Sequence, residues 1–384
     1  MAGIGTAGRN RRLLVVGIVV AVALLVLIGR VQRSALRVAQ PPARTVLPVL
    51  PVLPAVVAAQ PLDAATRLHI GSPVDPIGAE VFPVAVGEGA VWVVLHGDLV
   101  RVDPSRDQVA ARVRVSLPEQ AVDVMLAGGT VWVVTSAGVV GVDPRSGRVL
   151  STVPTSGRRV AVAAAAGSLW WLACEEPALD GRCRLQRRDP PTLAVAAVLS
   201  MPEAVIPGVA VQGGSVWVLS GAGPGLWRLR MAGGAPARLA LPLVSSPAPA
   251  RAAAHATAVA SGFGAVWVLT DLYAAAAPSG IRIGPALLRI DPVAGRVGAA
   301  LPLADLDRPM ALAIGARSVW VQGWQIRGDA TASLVVDRVD PVTLRVVEAF
   351  DTGGDADSRM AVGLGSLWVT RPSTGDLLRV AADG

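Results

Sequence analysis

Gly87-Glu-Gly-Ala-Val-Trp-Val-Val94 is the first of seven versions of one phrase, and its recurrence decides the fold. The others are AGGTVWVV around Trp132, AAGSLWWL around Trp170, QGGSVWVL around Trp217, GFGAVWVL around Trp267, GARSVWVQ around Trp320 and GLGSLWVT around Trp368. Their spacings of 40, 38, 47, 50, 53 and 48 residues mark one supersecondary unit used repeatedly. Around each tryptophan the text reads as four short strands. In the first unit these are residues 83–86, 90–95, 98–103 and 108–115, with a glycine turn at 87–89. Alternation and β-branched residues favour strands, and the glycines mark tight turns.

The third strand of most units runs into Asp-Pro: Asp103-Pro104, Asp143-Pro144, Asp189-Pro190, Asp291-Pro292 and Asp340-Pro341. Aspartate accepts backbone N–H bonds and proline presets φ, so the pair opens a hairpin turn and its role is structural. Four strands repeated seven times describe an all-β, seven-bladed β-propeller. The seventh unit stops after its third strand (376–380), while a strand-like run at 66–71 precedes the first unit. Residues 66–71 are therefore expected to supply the outer strand of the last blade and latch the ring. Seven residues before each tryptophan stand Ala85, Met125, Ala163, Ala210, Ala260, Ala313 and Ala361, a small-residue column expected where inner strands crowd near the axis. The tryptophans are expected to pack adjacent blades together.

The units, with GxGxVWV followed by an L-x-R-[VI]-D-P strand and a G-R-V strand, resemble the propellers of the YVTN-repeat and virginiamycin B lyase-like superfamily over residues 62–384. The resemblance implies the fold. For the true lyases it also implies a His and a Glu acting with a magnesium ion. Those enzymes carry W-F-T-E and N-x-I-G-R-I phrases where this chain has Trp-Val-Val and Leu-x-Arg-Val-Asp-Pro. His255 alone of the three histidines lies near an inner strand, with no glutamate beside it in sequence. The lyase site is not carried over, and His255 is kept only as a weak catalytic candidate.

Ahead of the repeats, residues 13–29 (LLVVGIVVAVALLVLIG) carry no charge and follow Arg9, Arg11 and Arg12. At about 1.5 Å per residue the run reaches roughly 26 Å, the short end of a membrane span. Arg30, Gln32 and Arg33 follow where a cleavage site would need small residues, so an uncleaved signal anchor is favoured over a cleavable or twin-arginine signal. A buried core helix fits poorly with all-round hydrophobicity between basic clusters. The segmentation read is a basic cytoplasmic tail (1–12), transmembrane anchor (13–29), Pro/Ala-rich extended stalk (30–61) and propeller (62–384). Six prolines between 40 and 61 rule out a helix there.

The chain carries a net charge of +7, and a whole-chain excess of that sign ordinarily points to nucleic acid. All of it resides in seven arginines of residues 1–60, where no acid occurs. The body is neutral, so no nucleic-acid partner is expected. Two cysteines and three histidines, scattered, make a zinc site very unlikely. Gly3–Gly8 matches GxGxxG without a preceding strand, and no Walker loop, nucleophile elbow or EF-hand loop occurs.

Cys174 and Cys183 end one strand and begin the next in the third unit. They face each other across an eight-residue loop, within reach of a disulfide. The thiols could also stay reduced, but an export segment favours the bridge and places the propeller outside the membrane. Long insertions at 175–181, 243–254, 271–284 and 324–330 fall on one face and are expected as binding loops, Tyr273 and Trp324 among them. Tyr273–Pro278 also reads as Ala-rich filler. At the channel mouth the inner strands begin with Glu80, Asp123, Arg158, Arg159, His255, Arg308, Asp357 and Arg359. These arginines suit a carboxylate, phosphate or acidic peptide, or else pair with Asp123 and Asp357 as a solvated rim.

The expected function is a membrane-anchored extracytoplasmic binding or scaffold module of the cell envelope, with a protein, peptide or glycan ligand. The alternative is a lyase-like envelope enzyme with a channel site. A sensor ectodomain is a third, weaker option. No cofactor is expected, with magnesium required only for the lyase alternative.

Overall fold

The computed structural model describes residues 57–382 apart from 62–64, 74–80, 116–120, 136–137, 155–158, 166, 175–182, 191, 202–204, 222–224, 242–251, 275–280, 283–284, 327–331 and 355–356. The apolar run at 13–29, the tail before it and the stalk up to residue 56 lie outside the described residues. Within them, no helix is long and apolar enough to cross a membrane.

Two strands precede the first tryptophan phrase, β1 (Gln60–Pro61) and β2 (Thr66–His69). Blade 1 follows as β3 (Val84–Gly87), β4 (Ala90–Leu95), β5 (Asp98–Asp103) and β6 (Gln108–Arg114). Blade 2 is β7 (Ala121–Ala127), β8 (Thr130–Thr135), β9 (Gly138–Val142) and β10 (Val149–Pro154). Blade 3 is β11 (Arg159–Ala165), β12 (Ser168–Cys174), β13 (Cys183–Arg188) and β14 (Val195–Ser200). Blade 4 is β15 (Val205–Gln212), β16 (Ser215–Ser220), β17 (Gly225–Arg230) and β18 (Ala237–Ala240). Blade 5 has β19 (Ala252–Gly262), β20 (Ala265–Ala274), the short β21 (Ile281–Arg282), β22 (Ala286–Asp291) and β23 (Arg296–Pro302). Blade 6 is β24 (Arg308–Gly315), β25 (Ser318–Ile326), β26 (Ala332–Asp340) and β27 (Arg345–Asp351). Blade 7 opens with β28 (Met360–Gly363), β29 (Ser366–Arg371) and β30 (Asp376–Ala381).

Seven separate antiparallel meanders result, and the last is completed by β2, in the order β2-β30-β29-β28. The amides of Ile70 and Gly71 add bonds to the Gly375 carbonyl. The latch expected at 66–71 thus forms through Thr66–His69, and β28 lies against β3 to close the ring. β1 was not expected in a sheet. It pairs in parallel with β27, Gln60 opposite Phe350 and Pro61 opposite Asp351. Proline is tolerated there because an outermost edge strand leaves alternate N–H groups without a ladder partner in any case.

Each seam between blades is one apolar cluster built on a tryptophan. Trp92 packs with Val124, Val131 and Val133 of blade 2, and Trp368 with Val91, Val93 and Phe82 of blade 1. Trp132, Trp170, Trp217, Trp267 and Trp320 fill the other five seams. A buried indole removes roughly 150–250 Å² from water. The small-residue column stands directly opposite the tryptophans, Ala85 across from Trp92 and Ala361 across from Trp368. Met125, across from Trp132, is the one larger residue in the column.

A second regularity joins the first. Directly across from the tryptophan on the third strand stands an arginine: Arg101, Arg187, Arg228, Arg289, Arg338 or Arg379. Five of these guanidinium groups lie over the indole of their partner, 5.3–5.9 Å from its centroid. Where a serine stands two residues before the tryptophan, Arg Nε donates to its Oγ at 2.9–3.0 Å, as at Ser168, Ser215, Ser318 and Ser366. The same arginine can reach the next blade. Arg228 donates to the Val293 carbonyl of blade 5, and Arg379 to Pro104 O and Asp107 of blade 1. The Asp-Pro turns form as expected, with Asp291 and Asp340 each accepting two backbone N–H bonds. They also serve as docking points for the preceding blade.

Candidate functional site

The ring has two unlike faces. The turn face carries the tight turns between first and second strands and the Asp-Pro turns. The loop face carries the connections between second and third strands and between blades, and the starts of the inner strands.

At the channel mouth, on the loop face, three of the eight sequence candidates come together. Asp123 on β7 and Arg359 just before β28 occupy the same level, nine residues before their tryptophans, where the other blades have Pro83, Ala161, Gly208, Ala258 and Ala311. Water reaches the Asp123 side chain, yet protein crowds it, and this desolvation pushes its pKa up to about 6. The Val124 N–H at 2.8 Å and the Arg359 charge oppose that rise. Burial in turn lowers the pKa of Arg359, against the favourable charges of Asp357 and Asp123. The Arg359 main chain is locked to β29, its N–H donating to Thr370 Oγ1 and its carbonyl accepting from Thr370 N, both at 2.9 Å. Thr370 Oγ1 also donates to Phe82 O in blade 1. Asp123 and Asp357 thus both favour the charged form of Arg359.

The remaining candidates are dispersed. Arg308 is exposed at the start of β24, opposite the half-buried Trp324. Arg159 pairs with Cys174, His255 with Asp271, and Tyr273 with Arg282. The side chains of Arg159, His255 and Tyr273, and all of Glu80 and Arg158, lie outside the described residues. Cys174 and Cys183 are bonded to each other, and both are buried in the seam between blades 3 and 4.

The insertions are distributed differently from a set of loops. Residues 175–181 lie outside the described residues, as do most of 243–254. In blade 5, β20 continues to Ala274 and is met by β21; in blade 6, β25 runs to Ile326. Strands of 11 and 10 residues in β19 and β20, and of 9 in β25 and β26, exceed the 6 of β4 and β5. Two neighbouring hairpins thus rise as a ridge on the loop face. The alanine at the end of β20, Ala274, carries no β signal and hid this.

Asp337 on β26 was not foreseen. It occupies the position held by Val100, Leu288 and Leu378 in other blades, is fully buried, and has no donor at either carboxylate oxygen. What faces it is the carboxyl of Asp305, in the segment joining blades 5 and 6. Two carboxyls this close in a buried site oppose each other's ionisation. Desolvation, then the Asp305 charge, raises the Asp337 pKa well above the ordinary carboxylate value. The one acid in a column that is otherwise apolar except for Gln186 of blade 3 was the available sequence signal. Among the described residues, no group of three His, Cys, Asp or Glu side chains is arranged to hold a metal.

No family model matches the chain, and no curated protein does. Solved structures show its fold. The WD40 domain of Pan2 from Neurospora crassa aligns at 9% identity over 83% of this chain and 94% of that one, with a TM-score of 0.58. Hydrazine synthase from Kuenenia stuttgartiensis aligns at 11% identity over 79% and 96%, with a TM-score of 0.52. BamB from Moraxella catarrhalis aligns at 15% identity over 78% and 83%, with a TM-score of 0.44. At such identities the likeness is one of fold.

Proposed function

We propose that this chain is a membrane-anchored, extracytoplasmic binding or scaffold module that engages a protein or peptide through the ridge of blades 5 and 6. The observation that carries this reading is the extension of β19–β20 and β25–β26 beyond the other blades on one face. A rigid ring presenting two raised hairpins is a scaffold for recognition. The ridge offers the exposed Ile326, the half-buried Trp324 and the exposed Arg308, residue types that anchor protein interfaces. The Cys174–Cys183 bridge supports an oxidising compartment, and the apolar run at 13–29 supports the anchor.

A photo-crosslinking residue in place of Ile326, in the full chain expressed in its native cell, is expected to give a discrete adduct. The same residue in place of Val198, exposed on the outer strand β14, is expected to give none. Absence of an adduct at 326, or identical adducts at both positions, overturns the ridge as the binding surface.

A further inference from the structure

Apolar tips on the turn face are most numerous in blades 5 to 7, with Met231 of the neighbouring blade 4 also exposed. In blades 1 and 2 the turns show Glu88, Gly89, Ser105 and Arg106, then Gly128, Gly129, Arg145 and Ser146. In blades 5 to 7 the corresponding tips are Phe263, Val293, Val342 and Leu364. Val293 and Val342 are 80% and 81% exposed. Phe263 and Leu364 hold φ of 53° and 52°, where blades 2 and 4 have Gly128 and Gly213. A bulky residue in that region is disfavoured, and here both side chains are also partly exposed, 42% and 45%. Exposed Arg296, Arg317 and Arg345 stand among these tips. The acids of the same turns, Asp291 and Asp340, are engaged by their own backbone N–H groups.

The chain enters the propeller in the same sector. β27 runs from the Asp340 turn toward the loop face, and β1 is parallel to it, so residues 57–59 reach blade 6 from the turn-face side. Val57 and Ala59 pack on the seam between blades 5 and 6. The described chain thus begins on the turn-face side of its pairing with β27.

We propose that the turn face of blades 5 to 7 rests on an anionic bilayer surface, with Phe263, Val293, Val342 and Leu364 at headgroup depth and Arg296, Arg317 and Arg345 against lipid phosphates. Apolar tips beside arginines match both layers of a lipid interface, and the arginine stems add apolar cover. This contact rests on the anchor reading, which holds the disk near lipid. It turns the ridge of blades 5 and 6 away from the membrane.

The test uses the full chain, whose native cysteines are bonded to each other, carrying Val293→Cys, Val342→Cys or the control Ser105→Cys labelled with an environment-sensitive fluorophore. In phosphatidylcholine vesicles containing phosphatidylglycerol, labels at 293 and 342 are expected to shift to the blue and be quenched by brominated lipid. The label at 105 is expected to stay in water. Phe263→Asp with Leu364→Asp is expected to abolish quenching at 293 with the circular dichroism spectrum unchanged. Flotation separates the two readings. A chain that fails to float with vesicles overturns the anchor and this contact together, whereas a floating chain whose label at 293 matches that at 105 overturns the contact alone. Protection of 293 that requires an added protein instead of lipid also overturns it.

Discussion

At Asp337 a single carboxyl works against the stability of its seam. The unfolded chain gives up this proton near the ordinary value of 3.8, while the folded chain keeps it to a higher pH because ionisation would leave a charge buried beside Asp305. A group whose folded pKa is raised in this way destabilises the fold progressively as pH climbs from 3.8 toward the folded value. Asp337→Leu, which places there the residue that blades 5 and 7 already use, is expected to stabilise the protein by about 1–4 kcal/mol at neutral pH. The gain is expected to shrink toward pH 4, a comparison that denaturant titrations at the two pH values make directly. A constant gain across pH would show that packing, and not the proton, sets the difference.

The hairpin of second and third strands is the element the sequence spelled most clearly, because tryptophan, the glycine turn and Asp-Pro each fix a different feature of it. Its Arg–Ser contact was not legible, since Leu-x-Arg-Val-Asp-Pro names an arginine without saying what stands opposite. Register supplies that partner. Blade 1 has Ala90 where four blades have serine, and Arg101 Nε is there buried with no acceptor. Ala90→Ser restores the acceptor and is expected to raise stability by about 1 kcal/mol, read as a higher denaturation midpoint. The parallel pairing of Gln60–Pro61 was hidden for the opposite reason: a proline run reads as exclusion from sheets, whereas an edge needs only alternate amides. The charge influence between Asp123 and Arg359 was legible as composition but not as placement, because the two lie more than two hundred residues apart in the sequence and share a level only in the closed ring.

For the whole disk, closure depends on the seam between blades 7 and 1. Arg379 stacks on Trp368, bonds Ser366, and reaches Pro104 O and Asp107 across that seam. Arg379→Ala is expected to cost about 2–3 kcal/mol, against about 1 kcal/mol for Arg289→Ala, whose described contact is the stack on Trp267. Equal losses in thermal or chemical unfolding would remove the special standing of this seam. The count of seven blades and the latch were readable because every blade repeats one phrase. The side from which residues 57–59 reach blade 6 was not, since it depends on the direction in which β1 meets β27.

The latch also sets an order of events in time. β2 is made before any blade, but its partner β30 is the last strand of the ring to be synthesised. Blade 7 therefore stays incomplete, and the seam beside it open, until residues 376–381 have emerged. A ring whose first strand must wait for its last folds late, through contacts of the greatest possible sequence separation. Closure of the disk is therefore the last step of its folding, and any chain released short of residue 376 is left with an open seam.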